Sequence, residues 1–175
     1  MHVVPHAYKS WRSALDFDEI SFGAGGVRLE QLDQIDQAQI GYSVSPQGES
    51  FCTGQSGDWQ ENWLVIGNDT ALGDPLIIDT AAANLPVLTA MHGTGNWDPT
   101  CIAVSLSAFG AALAEVHRLS IGRESPVALD KHPLPARQRR QALAKIKAAN
   151  PAPICNSGSP CFAWKKVRLG SKGAR

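Results

Sequence analysis

Cysteine is scarce in this chain, and what there is shows no arrangement for chemistry. Cys52, Cys101, Cys155 and Cys161 form no CxxC pair, and no histidine lies within ten residues of Cys155 or Cys161. The close ligand spacing of a zinc site is therefore missing. Reduced thiols in a reducing compartment are expected, with a loop disulfide between Cys155 and Cys161 open to the chain under oxidation. Long apolar runs are missing too. Residues 64–67 and 76–78 are the kind of short stretch present, far below the roughly 20 residues that cross a bilayer. The N-terminus has no continuous apolar segment of the secretory type, so a soluble, cytoplasmic protein with no membrane contact is expected.

Catalytic signatures are absent as well. There is no HExxH or HxH, and no serine or cysteine sits in a recognisable nucleophile elbow. Gly23-Ala24-Gly25-Gly26 and Gly93-Thr94-Gly95 lack the lysine and following helix of a phosphate-binding loop. Asp74, Asp79, His92 and Asp98 carry the side chains that a hydrolytic or metal cluster needs, but their spacing matches no such site. A glycine and a proline around an aspartate, as in Gly73-Asp74-Pro75, also build a tight hairpin connection whose carboxylate accepts backbone hydrogen bonds. No catalytic residue, metal ligand or cofactor is assigned.

Basic residues are nearly absent from one part of the chain. Residues 1–122 hold Lys9, Arg12, Arg28 and Arg118 against fourteen acids, a formal charge of −10, whereas residues 123–175 hold twelve Lys and Arg against Glu124 and Asp130, or +10. The overall formal charge of zero hides two electrostatic opposites. An acidic body attracts basic partners and repels nucleic acid, while a basic tail does the reverse or folds back on its own body.

The length, 175 residues, suits one sizeable core plus an appendage. Val4, Ala7, Tyr8, Trp11, Ala14 and Leu15 recur at helical spacing, with Pro5 tolerated in a first turn. A brief extended stretch is predicted at Val27 and Leu29, a helix through Leu32, Ile35 and Ala38, and another extended stretch over residues 40–44. Residues 63–66 and 76–79 are rich in β-branched and large apolar side chains and flank a turn-rich connection, which predicts a hairpin. Residues 86–91 predict a further strand. Over residues 101–119 the series Ile102, Leu106, Phe109, Ala112, Leu113 and Val116 predicts a helix, with Ser105 or Ser107 near its start. Beyond Gly122, Ser125-Pro126, His132-Pro133 and Leu134-Pro135 break structure, and residues 135–150 predict one Lys/Arg/Ala-rich helix with a narrow apolar face at Leu143 and Ile146. The expected division is thus a domain over residues 1–122 and a basic, proline-containing extension over 123–175.

The succession Gly25-Gly26-Val27-Arg28-Leu29, Gly41-Tyr42, Trp63-Leu64-Val65-Ile66-Gly67, Gly73-Asp74-Pro75, Pro86-Val87, His92-Gly93-Thr94-Gly95-Asn96-Trp97 and Ile102-Ala103-Val104-Ser105 resembles the SUKH superfamily of SMI/KNR-like proteins, over roughly residues 4–119. Two departures stand out. Val4-Pro5-His6-Ala7-Tyr8 is similar to an element that in this family follows an amphipathic helix, and here almost nothing precedes it. The basic extension is the second departure. The resemblance implies an α+β fold: a single twisted mixed, largely antiparallel sheet with helices packed against it. It also implies function by binding, as an immunity protein that neutralises a cognate toxin domain, often a nuclease.

Acids near turns are the expected partner-binding face: Glu49, Asp58, Glu61, Asp69, Asp74 and Asp98, with Trp59, whose neighbours are polar, as an interface aromatic. Trp63, which opens a strand, is expected in the core. Nucleic-acid association through Arg137, Arg139, Arg140, Lys145 and Lys147 requires an exposed basic helix. A hydrolase using the Asp/His set is the remaining alternative. Either the true start lies upstream or something else covers the apolar surface that the missing family helix leaves; on the second reading part of residues 133–169 is expected to fold back on the core, anchored by Phe162-Ala163-Trp164, its Lys and Arg neutralising some acids and leaving less basic surface for nucleic acid.

Overall fold

The computed structural model describes residues 2–151, organised on a six-stranded sheet. In chain order the elements are α1 (His6–Ser13), β1 (Glu19–Phe22), β2 (Gly25–Leu29), α2 (Ile35–Ala38), β3 (Trp63–Asp69), β4 (Pro75–Asp79), β5 (Val87–Thr89), β6 (Thr100–Ala103), α3 (Leu106–Ser120), α4 (Pro126–Lys131) and α5 (Ala136–Ala149). The strands lie side by side in sequence order, each antiparallel to the next. The fold is α+β, and the sheet, expected to be largely antiparallel, is so at every pairing of these strands.

Strand side chains alternate between the two faces of a sheet. Leu64, Ile66, Leu76, Ile78 and Val87 join Ile20, Ile102, Phe109 and Leu113 in the main core. Val65 and Ile77 point the other way, into a second cluster with Trp59 and Ala90. Both sides of β3 and β4 are therefore buried, which is why their sequences are unbroken apolar runs.

Helices cover the first face. Ser105 caps α3, its Oγ accepting the Ala108 N–H at 3.1 Å, and Leu106, Phe109, Leu113 and Val116 form the buried side. Gly110 lets α1 come close, since a Cβ there would sit 2.6 Å from Trp11 Nε1. One turn apart on α1, Tyr8 and Arg12 are buried. Arg12 donates to the Glu30 carbonyl at 3.0 Å and pairs with Asp18.

The last helix among the described residues, α5, packs against α3. Ile146 enters the main core, and Ala142 packs with Phe22 and Leu119. Asn150 clamps the end of α5 to β6 and its exit, accepting the Val104 N–H at 2.9 Å and donating to the Ile102 carbonyl at 2.8 Å. The expected fold-back of the C-terminal segment is thus present through α5. Phe162-Ala163-Trp164, its expected anchor, lies outside the described residues.

Three local expectations differ. The helix expected from residue 101 begins at Leu106, because Thr100–Ala103 pairs with β5 instead. Residues 40–44 are not a strand but make isolated bridges, Ile40 to Val44 and Val44 to Ser50. The break expected at Ser125-Pro126 is a helix start: Ser125 Oγ accepts the Ala128 N–H at 3.1 Å, and Pro126 sits in the first turn of α4, where its missing N–H costs nothing.

Glu115 on α3 bridges Arg118 at 2.7 Å and Lys145 of α5 at 3.4 Å. These cations, Arg118 foremost, hold its carboxyl below the ordinary glutamate value. A lowered folded-state pKa stabilises the fold above the unfolded value of about 4.3, and the contribution is lost as pH falls through the folded value. Glu115→Gln should cost about 1 kcal/mol near neutrality, because both partners are more than half exposed and solvent screens them. Urea melts at neutral and acidic pH check this. A deficit that persists unchanged in acid rules out the ion-pair account.

Candidate partner-binding face

The second face of the sheet is covered by loops. Residues 39–62 contain no regular element, and they are held by one buried aromatic. Trp59 is 1% exposed, packs on Val65, Ile77 and Ala90, and donates from Nε1 to the Trp63 carbonyl at 3.1 Å. Around it stand Tyr42, Trp97 and Trp63, with ring centroids at 5.3, 5.0 and 5.5 Å, the two tryptophans edge-on. Edge-on rings place a positive edge against a negative face. The Trp97 N–H donates to the Gly57 carbonyl at 2.7 Å, so the loop between β5 and β6 is stitched to the loop around Gly57. Gly57, at φ +91°, supplies the left-handed turn this contact needs.

Four of the expected carboxylates sit on the loops between α2 and β3 and between β5 and β6. Glu49, Glu61 and Asp98 are exposed, and Asp58 is half-buried and accepts from the Thr53 hydroxyl. Backbone hydrogen bonds place Glu49: the Ser45 N–H donates to its carbonyl at 2.8 Å, and its own N–H donates to Ser45 Oγ at 3.1 Å. Asp98 follows Trp97 directly, as Asp58 precedes Trp59. Each of these two carboxylates is therefore carried by a backbone that its neighbouring ring pins to the layer.

The other three expected residues are placed differently. Trp59 is the anchor beneath the face and not an interface aromatic, because the second side of the sheet needs a large apolar cover and residues 53–62 offer few others. Asp74 is 6% exposed and faces inward. Its Oδ1 accepts the His92 backbone N–H at 3.2 Å and meets His92 Nδ1 at 2.9 Å, tying the β3–β4 turn to the loop after β5. Asp69 is half-buried and closes the β3–β4 turn, accepting the N–H groups of Ala71 and Leu72. Trp63, expected in the core, is half-buried at the edge of the aromatic cluster.

Residues outside the expected set contribute as well. Tyr42 belongs to the aromatic layer, and burial raises its phenol pKa, with the Asp74 and Glu30 charges adding to the effect. Phe51 and Met91, 42% and 57% exposed, add apolar surface to the covering loops. Gly41-Tyr42 is visible in the sequence, but nothing local marks its ring as a neighbour of Trp59 and Trp97. Asp74 orients the His92 imidazole, and among the described residues no group of three or more His, Cys, Asp and Glu could hold a metal ion. No helix among them is long and apolar enough to cross a membrane.

The basic residues occupy the opposite layer. Arg137, Arg140, Lys145 and Lys147 of α5 are exposed and Arg139 is half-buried. Fold-back therefore leaves most of this basic surface in solvent, with Lys145 paired to Glu115. Comparison with protein-family models, with curated proteins and with solved structures found no match.

Proposed function

We propose that this protein acts by binding, as a cytoplasmic immunity protein that captures and neutralises a basic toxin domain. The observation that supports the reading is that Glu49, Asp58, Glu61 and Asp98 sit on loops packed around the Trp59 cluster. Preorganised loops reduce the ordering cost of association. A nuclease fits the charge, because its substrate surface must be basic to hold phosphate, and carboxylates presented to that surface steer encounter and block it. The resemblance to SMI/KNR-like immunity proteins agrees with this, and exposed Phe51 and Met91 lie on the same loop segments.

A neighbouring gene for a large secreted protein with a C-terminal toxin domain is expected, and the test is association with that domain; neighbours that encode no such protein count against the proposal. Raising ionic strength should slow association markedly and change dissociation less. Glu49→Lys with Asp98→Lys should lower the low-salt on-rate at least about tenfold. A salt-independent on-rate overturns the proposal. His92→Ala, which removes the imidazole and none of those four carboxylates, should leave protection intact; protection lost with binding unchanged would transfer the function to chemistry at His92.

A further inference from the structure

Charge is most one-sided along α5. Its 14 residues carry Arg137, Arg139, Arg140, Lys145 and Lys147 and no acid. After Asp130 the chain has no acid at all, and eleven of its sixteen Lys and Arg lie there. Glu115 of α3 pairs with Lys145, whereas Arg137 and Arg140 enter no ion pair among the described residues.

Helix geometry places these cations on one surface. At 3.6 residues per turn, Arg137, Arg140 and Lys147 fall within about 80° of one another, and the buried pair Ala142 and Ile146 lies about 160° away, across the axis. All three cations are exposed and together span about 15 Å of helix. Ala144 and Ala148, exposed on the same side, are small, so nothing bulky stands in front of the stripe. Because α5 is held to α3 and the core by its other side, the stripe is already ordered in the free chain.

We infer that α5 binds the phosphate backbone of a double-stranded nucleic acid through Arg137, Arg140 and Lys147. An exposed basic helix is the condition such binding sets, and α5 meets it. A duplex carries one negative charge per about 1.7 Å of axis, so about nine phosphate charges face a stripe of this length, and neutralising them releases counterions. Single carboxylates on a protein surface give exposed cations far less. An anionic membrane suits the stripe less well too, because surface-bound helices bury an apolar side in the lipid, and the apolar side of α5 is already buried in the protein. The acids Glu49, Asp58, Glu61 and Asp98 stand on loops over the opposite face of the sheet, the one bearing Val65 and Ile77. Packed layers are about 10 Å apart, and at physiological ionic strength a charge is screened beyond about 8 Å, so those acids weigh little at the stripe. This is a second surface, and the inference stands whether or not the loops on the other side take a toxin.

Fluorescence anisotropy of labelled DNA and RNA duplexes of about 20 base pairs, titrated with the full-length chain between about 100 and 300 mM salt, tests this. The logarithm of the binding constant should fall linearly with the logarithm of salt. Arg137→Gln with Arg140→Gln should reduce the slope by about 2 and weaken binding at least about tenfold at the lower salt. Arg137→Lys with Arg140→Lys keeps the charge and should bind within about threefold of wild type. Both side chains are exposed, so unchanged melting temperatures are expected in all variants and are to be checked. Binding of either duplex that depends on the two arginines supports the inference, and the tighter of the two names the source. No binding of either duplex at about 100 mM salt, a slope unchanged in the Gln variant, or a loss in the Lys variant as large as in the Gln variant overturns it. Vesicles with about 30% phosphatidylserine that bind as tightly as the duplexes overturn it too, and assign the stripe to an anionic membrane surface.

Discussion

Gly67→Ala should cost on the order of 3–5 kcal/mol and disconnect the β1–β2 hairpin from the rest of the sheet. A Cβ at this position would lie 2.1 Å from the Arg28 carbonyl oxygen and 3.0 Å from Leu29 Cα. Both are backbone atoms of β2, so no rotamer change relieves the contact. The strand itself must move by about 1 Å, which breaks the pairing of Leu29 with Gly67 and Arg28 with Asn68. The register with β4 already shifts between Val65 and Gly67, so β3 has little freedom to twist the methyl aside. Gly25→Ala is the control, because its Cβ would meet only the Ala71 methyl at 3.3 Å. Guanidinium melts of the two variants should differ by most of the predicted cost. A Gly67→Ala protein within about 0.5 kcal/mol of wild type would show that the β2–β3 junction is far softer than close packing implies.

How much of this was legible depended on the range of the forces involved. β3 and β4 were visible because burial on both faces writes an uninterrupted apolar run, and α3 because its buried stripe recurs through Leu106, Phe109, Leu113 and Val116. Its start was misplaced, since Cys101 and Ile102 fit a helical stripe as well as a strand; pairing with β5, a tertiary fact, decides between them. β1 (Glu19–Phe22) left little trace, because two inward positions, Ile20 and Phe22, are too few to establish alternation. At Ser125-Pro126 the local signal was present but ambiguous, since the same pair can end a segment or cap the next helix.

The candidate face was less legible than the sheet. Polar neighbours around Trp59 suggested an exposed ring, yet a lone large apolar side chain in a polar segment is also what pins that segment down. The turn at Gly73-Asp74-Pro75 was apparent, and so was a carboxylate that accepts backbone hydrogen bonds. Its acceptor role is directed at His92, eighteen residues away, and no local pattern encodes that distance. The carboxylates Glu49, Asp58, Glu61 and Asp98 were identifiable by sign and by nearness to turns. The loops that carry Asp58 and Asp98 are joined by ring contacts among Tyr42, Trp59 and Trp97, which are distant in sequence.

Gln39→Leu should lower stability by on the order of 3–4 kcal/mol and loosen the loop layer that carries those carboxylates. Gln39 follows α2 directly and is fully buried. Its Oε1 accepts the Val65 N–H at 3.0 Å, and its Nε2 donates to the Val65 carbonyl at 2.9 Å and the Ile35 carbonyl at 2.7 Å. Beside Leu29 and Glu30 the pairing of β2 with β3 ends, and one side-chain amide supplies Val65 with the donor and acceptor that a neighbouring strand would have given. Leucine fills similar volume but takes this partner from one N–H and two carbonyls, the N–H and carbonyl of Val65 and the carbonyl of Ile35, and an unpaired buried group costs about 1–3 kcal/mol. The Val65 amide should then lose much of its protection from hydrogen exchange, while the Leu76 amide on the far side of the bulge changes only with global stability. Gln39→Glu separates hydrogen bonding from packing. Its carboxylate can accept from the Val65 N–H but repels both carbonyls, and burial raises its folded-state pKa. Its deficit should therefore be largest at neutral pH and shrink as pH falls through that raised value, where the protonated acid donates to one carbonyl. If Gln39→Leu keeps full protection at Val65, or if the Gln39→Glu deficit does not depend on pH, the amide is not what holds residues 39–62 against the sheet.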